Sequence, residues 1–265
     1  MARRNVSTAV AIAAAACGAR VAKHGNRGIS SPCGSADVLA ALGVDITAPP
    51  ERVGQCVDEV GVGFMFAPSL HPAMRHAAGP RKALGLRTLF NLVGPMCNPG
   101  VRRQVIGVFD PGKVEAMAAA LGALGSERVF VVHGFFAGAD RPGIDDLSPE
   151  GPSTVAEWHR GALRTYTLRP ADAELPEVPI AAIAGDDAAG NASALRAFWP
   201  ASRGPTVQVC STAGRWPCWR PATTASRRCR PRRGRSAPRS KTAGPRRCST
   251  GSSPPAALRY PEGRT

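Results

Sequence analysis

Residues 104–134 read QVIGVFDPGKVEAMAAALGALGSERVFVVHG. The apolar run V-I-G-V-F predicts a strand over Gln104–Phe109. The alanine-rich middle predicts a helix over 112–124, and V-F-V-V predicts a second strand over Arg128–His133. Strand, helix and strand in that order indicate a parallel α/β sheet. The alternation continues outward. Upstream, Ser7 or Thr8 can cap a helix that runs to Cys17 and is ended by Gly18. Arg20–Lys23 reads as a short strand, and 36–43 as a helix with Ser35 as its cap. Pro49-Pro50 opens a helix to Val60, and Gly63–Phe66 is an apolar strand. A helix over Pro72–Leu84 follows, kinked or interrupted by Gly79-Pro80. Downstream, strands are expected at 154–159 and 163–168. Parallel sheets bind ligands beyond the carboxyl ends of their strands, so the polar, glycine-containing segments after these strands are where chemistry is expected.

The 265 residues carry a formal net charge of +15, a balance that by itself would suggest a nucleic-acid binder. Its distribution argues against that for most of the chain. Residues 199–265 hold 14 Arg and 1 Lys against the single acid Glu262, a net of +14, while residues 1–198 hold 19 basic and 18 acidic residues. The first part is a balanced globular sequence. The second has ten prolines in 67 residues, three of the four Trp, and no helical or strand periodicity. It reads as a basic RNA-binding segment, as disorder, or as GC-rich DNA translated out of frame. The third reading is favoured: with GC-rich third bases and an A-ending Ser211 codon, a one-base backward shift can convert Cys210–Pro221 into an apolar, alanine-rich helical pattern, with alanine after Trp216 and Trp219. The organisation expected is therefore an α/β domain over 1–198 and a disordered Arg/Pro-rich tail over 199–265.

No uninterrupted apolar run reaches about 18 residues, which excludes a membrane-spanning helix. Met1-Ala2-Arg3-Arg4 followed by A-V-A-I-A-A-A-A-C has the shape of a short signal peptide, but Arg20, Lys23, His24 and Arg27 follow at once. Cys17, Cys33, Cys56 and Cys97 are scattered, with no C-x-x-C pair and no metal spacing, and read as reduced thiols of a cytoplasmic protein.

Four segments carry chemistry. In Lys23-His24-Gly25-Asn26-Arg27-Gly28-Ile29-Ser30-Ser31, then Cys33-Gly34-Ser35-Ala36-Asp37, a strand delivers a Lys, a His and an Asn into a glycine-punctuated turn. Hydroxyls follow ahead of a helix. Backbone N–H groups, a Lys and Ser at a helix start make a phosphate cradle, though an ordinary polar loop can share this composition. His71-Pro72-Ala73-Met74 is followed by Arg81, whose guanidinium can fork onto a carboxylate or phosphate or simply face solvent. Arg87-Thr88-Leu89-Phe90-Asn91-Leu92-Val93-Gly94-Pro95-Met96-Cys97-Asn98-Pro99 is too idiosyncratic for a generic loop. Asp145-Asp146, beyond the strand ending at His133-Gly134, suits Mg²⁺ shared with substrate phosphates, and would otherwise be a solvated turn.

Together these segments resemble the anthranilate phosphoribosyltransferase family of tryptophan (aromatic amino-acid) biosynthesis. K-H-G-N-R-x-x-S-S-x-x-G-S-A-D, H-P-A-M, L-G-x-R-T-x-F-N-L-x-G-P-x-x-N-P and V-V-H-G stand in the family's order across residues 4–198. The resemblance implies a pentosyl transfer: the amine of anthranilate attacks C1 of phosphoribosyl pyrophosphate and pyrophosphate leaves. It implies phosphoribosyl pyrophosphate contacts from Asn5, Ser7, Thr8, Lys23, Ser31 and Ser35. It implies Mg²⁺ held through Ser7, Asp145 and Asp146, and anthranilate held by Asn26 and Arg81 with His24 and His71 lining the pocket. No residue is assigned as acid or base. The alanine-rich stretch after Asn5 becomes the helix behind a phosphate loop, which displaces the signal-peptide reading.

The pattern also departs from the family. The G-T-G-G-D loop and the N-terminal helical domain, which carries much of the family's homodimer contact, are not in this sequence. The family's Asp-Glu metal pair is Asp145-Asp146, one methylene shorter, behind an apparent insertion at Ala137–Pro142. The in-family pattern stops near Phe198. The fold expected is thus α/β, a mostly parallel sheet flanked by helices without the family's helical domain, with a disordered basic tail. The alternative is a non-catalytic binding module whose tail binds RNA. From these departures, turnover of anthranilate by the purified chain should be little or none, and a steady-state assay returning an ordinary enzyme rate would contradict that expectation.

Overall fold

The computed structural model describes residues 4–28, 32–84, 88–98, 101–136 and 143–198. Ser31, the Ala137–Pro142 segment and the whole tail from residue 199 lie outside the described residues. The alanine-rich stretch is α1 (Val6–Ala16), which starts before Ser7 and Thr8 because Asn5 occupies the cap position. It is an interior helix: Ala11 and Ala14 pack on Val21, and Val6 on Ile144, Ile180 and Ile183. Small side chains permit this close approach of helix to strand.

β1 (Val21–Gly25) pairs in parallel with β2 (Val62–Phe66), Lys23 opposite Phe64. Parallel partners need a long crossover. It is supplied by α2 (Ser35–Ala41) and α3 (Pro50–Glu59), and α3 opens with Pro50 at its first turn, where the missing N–H is harmless. α4 (Ala67–Leu70), a 3₁₀ turn over Pro72–Met74, α5 (Arg75–Leu84) and α6 (Phe90–Met96) follow. The helix expected over Pro72–Leu84 is therefore divided at its start, by the 3₁₀ turn, while Pro80 sits inside α5.

The second sheet has the order β3 (Arg103–Gly107), β4 (Arg128–Gly134), β5 (Ser153–His159) and β6 (Ala162–Leu168). β3 and β4 are parallel, joined through α7 (Val114–Ala123), as the opening stretch of sequence predicts. β4, β5 and β6 are antiparallel, so the sheet is mixed. Only two residues, Arg160 and Gly161, both with positive φ (51° and 84°), connect β5 to β6. A two-residue turn of that hand makes a hairpin and is far too short for a crossover. α8 (Ala188–Phe198) completes the described chain and packs Ala192 and Leu195 on Ala9 and Val38.

β4 is the central strand, buried along Val129–Gly134. Val129 and Val131 face Ile106, Met117, Ala118 and Leu121, while Phe130 and Val132 face Leu147 and Val155, so both faces of the strand are covered. This explains why it reads as an unbroken apolar run rather than an alternating one. Among the described residues no helix is long and apolar enough to cross a membrane. Phe130 has no exposed surface. Phe130→Ala should therefore cost about 3–5 kcal/mol of unfolding free energy, read as a fall in the denaturant midpoint, whereas Leu124→Ala, at an exposed position, should change it little.

Candidate active site

The carboxyl end of β1 opens into a cleft of about 1830 Å³. Ser7, Lys23, His24, Asn26, His71, Asp145 and Asp146 all line it. They come from α1, β1, the turn after β1, the turn after α4, and the connection leaving β4. Asn91, Asn98 and Pro95 of the third motif line it as well.

His24 and Gly25, expected in the turn, are the last residues of β1. The turn proper, Asn26–Gly28, is tied down by Asp37 of α2. Asp37 Oδ2 accepts from the N–H of Gly28 and of Gly34, each at 2.9 Å, and Oδ1 accepts from the Arg27 guanidinium at 3.0 Å. Desolvation would raise the Asp37 carboxyl, but these donors outweigh it and hold the group below the usual carboxylate range. The Ala36 N–H also donates to Asn26 O at 3.1 Å. Asp37 sits three residues after Gly34, the spacing at which an acidic side chain reaches back to a helix start; that signal is legible in G-S-A-D, where no role had been given to it. Asn98 was likewise missed. Its Nδ2 donates to Ala22 O of β1 at 3.4 Å, which draws the F-N-L-V-G-P segment to the strand.

Lys23 and His24 are both strongly perturbed in the cleft. Burial strips water from its ammonium and lowers its pKa to about 8, while the negative charge of Asp146 resists that fall. His24 is lowered to about 4, first by desolvation and then by the charges of His71 and Lys23, so it is neutral at physiological pH. His24 Nε2 and His71 Nε2 lie 3.3 Å apart, with the rings edge to face.

The acidic pair is seated by backbone. Gly134 and Ile144 exchange N–H···O bonds of 2.9 and 2.7 Å, which brings the returning chain alongside the end of β4. The Asp145 carbonyl packs against Gly107 so closely that a Cβ there would collide with it. Only a glycine admits this approach at the end of β3. Asp146 Oδ1 accepts from the Leu147 N–H at 2.9 Å. Asp145 is exposed and Asp146 half-buried.

Among the described residues, Asn5, Thr8 and Ser35 stand apart from the cleft lining. Asn5 reaches Cys33 Sγ at 3.9 Å. Thr8 is buried, with no hydrogen-bond partner for its hydroxyl. The Ser35 hydroxyl donates to Asn26 O at 3.5 Å, beneath the turn. The backbone of Arg81 lies in α5; its side chain, like Ser31, is outside the described residues.

Residues 2–214 match a family model described as the glycosyl transferase family, a/b domain, running past the residue-198 boundary read from sequence. The chain is 48% identical over 206 residues to an anthranilate phosphoribosyltransferase of Moorella thermoacetica, covering 77% of this chain and 59% of the relative. It is 50% identical over 206 residues to one of Rhodopseudomonas palustris, with the same coverage. Among solved structures it superposes on anthranilate phosphoribosyltransferase from Thermus thermophilus with a TM-score of 0.71 at 44% identity, covering 81% of this chain and 63% of that one. The Saccharomyces cerevisiae enzyme in complex with PRPP and Mg gives a TM-score of 0.68 at 30% identity, covering 79% and 58%. The chain spans 59% of the length of the Moorella and Rhodopseudomonas relatives.

The depressed Lys23 makes a pH-dependent prediction. The unfolded chain holds this proton up to the ordinary lysine value of 10.5 and the folded chain only to about 8, so folding stability should rise with pH between those values. Isotope-edited NMR of the lysines should show one ammonium titrating near pH 8, absent in Lys23→Met. A Lys23 that titrates with the other lysines would contradict the desolvated placement.

Proposed function

The chain belongs to the glycosyl transferase family whose a/b domain it carries, and we propose that its cleft is the phosphoribosyl-transfer site of an anthranilate phosphoribosyltransferase. The observation that carries this reading is the convergence of Ser7, Lys23, Asn26, His71, Asp145 and Asp146, from five separate parts of the chain, on one cleft at the end of β1.

Lys23 suits the anionic end of phosphoribosyl pyrophosphate. A poorly hydrated ammonium has surrendered part of its solvation in advance, so a phosphate oxygen that reaches it competes with little water. The anion also stabilises the protonated form, so donor binding near pH 8 is accompanied by proton uptake, and affinity falls as pH rises further. The Ser7 hydroxyl at the start of α1 and the Asn26–Gly28 turn, held rigid by Asp37, add neutral donors. Asn5, Thr8, Ser31 and Ser35 complete the donor-binding set in this reading.

Two carboxylates fit a Mg²⁺ ion held mainly by substrate phosphates: they are hard oxygen donors, they line the cleft near Lys23, and among the described residues no larger group of His, Cys, Asp and Glu could hold a metal. Asp145 and Asp146, with Ser7, would hold it. When bound, the ion supplies charge neutralisation and orientation for the pyrophosphate leaving group. On the acceptor side, Asn26 and Arg81 would hold the anthranilate carboxylate, Arg81 as a fork to both oxygens. His24, neutral, would line the acceptor pocket beside the ring together with His71. The amine attacks C1, the C1–O bond to pyrophosphate breaks, and positive charge grows on the sugar. Held geometry and charge placement carry the reaction, with no side chain assigned as acid or base. The reading places the protein in the cytoplasm, in tryptophan biosynthesis.

Equilibrium binding tests the reading without requiring rapid turnover. Anthranilate, followed by its own fluorescence, and phosphoribosyl pyrophosphate with Mg²⁺, followed by calorimetry, should each bind saturably. Lys23→Ala should weaken the donor by roughly ten- to a hundredfold and leave anthranilate almost unchanged, while Asn26→Ala should do the reverse. Absence of saturable binding of both ligands would remove the proposal.

A further inference from the structure

The two histidines of the cleft carry a reading that transferase chemistry does not need. We propose that His24 and His71 form a two-imidazole site for a borderline divalent cation of the zinc class, open to the cleft. Their Nε2 atoms are 3.3 Å apart. The edge of a tetrahedron around a cation with metal–nitrogen bonds of about 2.0–2.1 Å is itself about 3.3 Å, so both nitrogens can ligate one ion with little movement of either ring. The rings meet at 67° with centroids 5.3 Å apart, an edge approach rather than a stack, and both residues line the cleft.

Both ligands are held by backbone before any cation arrives. His24 lies within the hydrogen-bonded register of β1 with β2, opposite Met65. His71 follows α4, where its N–H donates to Ala67 O at 3.0 Å and its carbonyl accepts from the Met74 N–H at 2.9 Å. A preorganised pair loses less conformational freedom on ligation than two mobile side chains would. Lys23, the neighbouring residue of β1, lines the same cleft, and its charge acts against a cation at His24.

The chemistry separates this site from the carboxylate pair. Imidazole nitrogen selects zinc, copper and nickel, whereas Mg²⁺ prefers carboxylate and water oxygen. Among the described residues no third His, Cys, Asp or Glu joins the two histidines. Two positions of a four-coordinate ion are thus left to water or to an anionic ligand in the cleft, the pattern of an open site rather than a closed structural one. The site stands on this geometry alone and holds whether or not the transfer reaction proposed above is correct.

Calorimetric titration of the full chain with Zn²⁺, in the presence of millimolar Mg²⁺, tests it. His24→Gln and His71→Gln should each bind one Zn²⁺ fewer per chain than the parent, while His76→Gln, at an exposed position on α5, should bind as many. Sites made by the cysteines remain in all four proteins and cancel. With the accessible thiols first blocked by alkylation, an electron paramagnetic resonance spectrum of the parent protein with one equivalent of Cu²⁺ should show coupling to two nitrogens, a result that does not depend on how the variants fold. Unchanged Zn²⁺ stoichiometry and affinity in His24→Gln and His71→Gln, or a Cu²⁺ spectrum without two-nitrogen coupling, would overturn the proposal.

Discussion

An ammonium group placed where water is scarce costs free energy, and the chain keeps Lys23 in such a place at the carboxyl end of β1. The charge of Asp146 offsets part of that cost, from a segment that leaves the second sheet. The rest of the site is arranged around this pairing. β1 must pair with β2 to set the direction of Lys23, and the chain after β4 must return along the ends of β3 and β4 to bring the acidic residues round. The acidic segment rests on the core centred on β4, where Leu147 packs with Phe130 and Val132, while β1 rests on α1 through Val21, Ala11 and Ala14.

The two rims of the cleft are stiffened by different means. On the β1 side a single carboxylate, Asp37, collects two backbone N–H groups and a guanidinium. This is a charge-assisted clamp that fixes the turn without using the side chains that face the cleft. On the β4 side the acidic segment is held by main-chain contacts, a short antiparallel bridge at Gly134 and a glycine at the end of β3 that lets the Asp145 carbonyl sit against the strand, together with the Asp146 side chain on the Leu147 N–H. The first device tolerates variation in neighbouring side chains. The second depends on the absence of one.

Much of this was legible in the residues. The strand–helix–strand unit over 104–134 follows from its apolar runs and the alanine-rich helix between them, and it is found with β3 and β4 parallel. Lys23, His24, Asn26, His71, Asp145 and Asp146 were singled out from their local chemistry and their motifs, and they do share one cleft. The antiparallel hairpin of β5 and β6 was not drawn, although Arg160-Gly161 carries its turn, because strand periodicity says nothing of direction. Helix starts moved by one or two residues for a similar reason: several polar residues near a helix end can cap it, and the choice depends on what else binds them. Asn5, not Ser7 or Thr8, occupies the first cap, and Gly34, not Ser35, the second.

By itself the sequence determined the types of most elements and marked several of the residues that line the cleft, because hydrophobic period and side-chain chemistry are local properties that survive in one dimension. Only the tertiary structure decided how far apart the members stand. His24 and His71 are separated by 47 residues and meet nitrogen to nitrogen, Lys23 is desolvated near a carboxylate from a distant part of the chain, and Thr8 is turned into the core. Distance, burial and the pKa that follows from them are set by packing between segments, and no pattern within a segment encodes them.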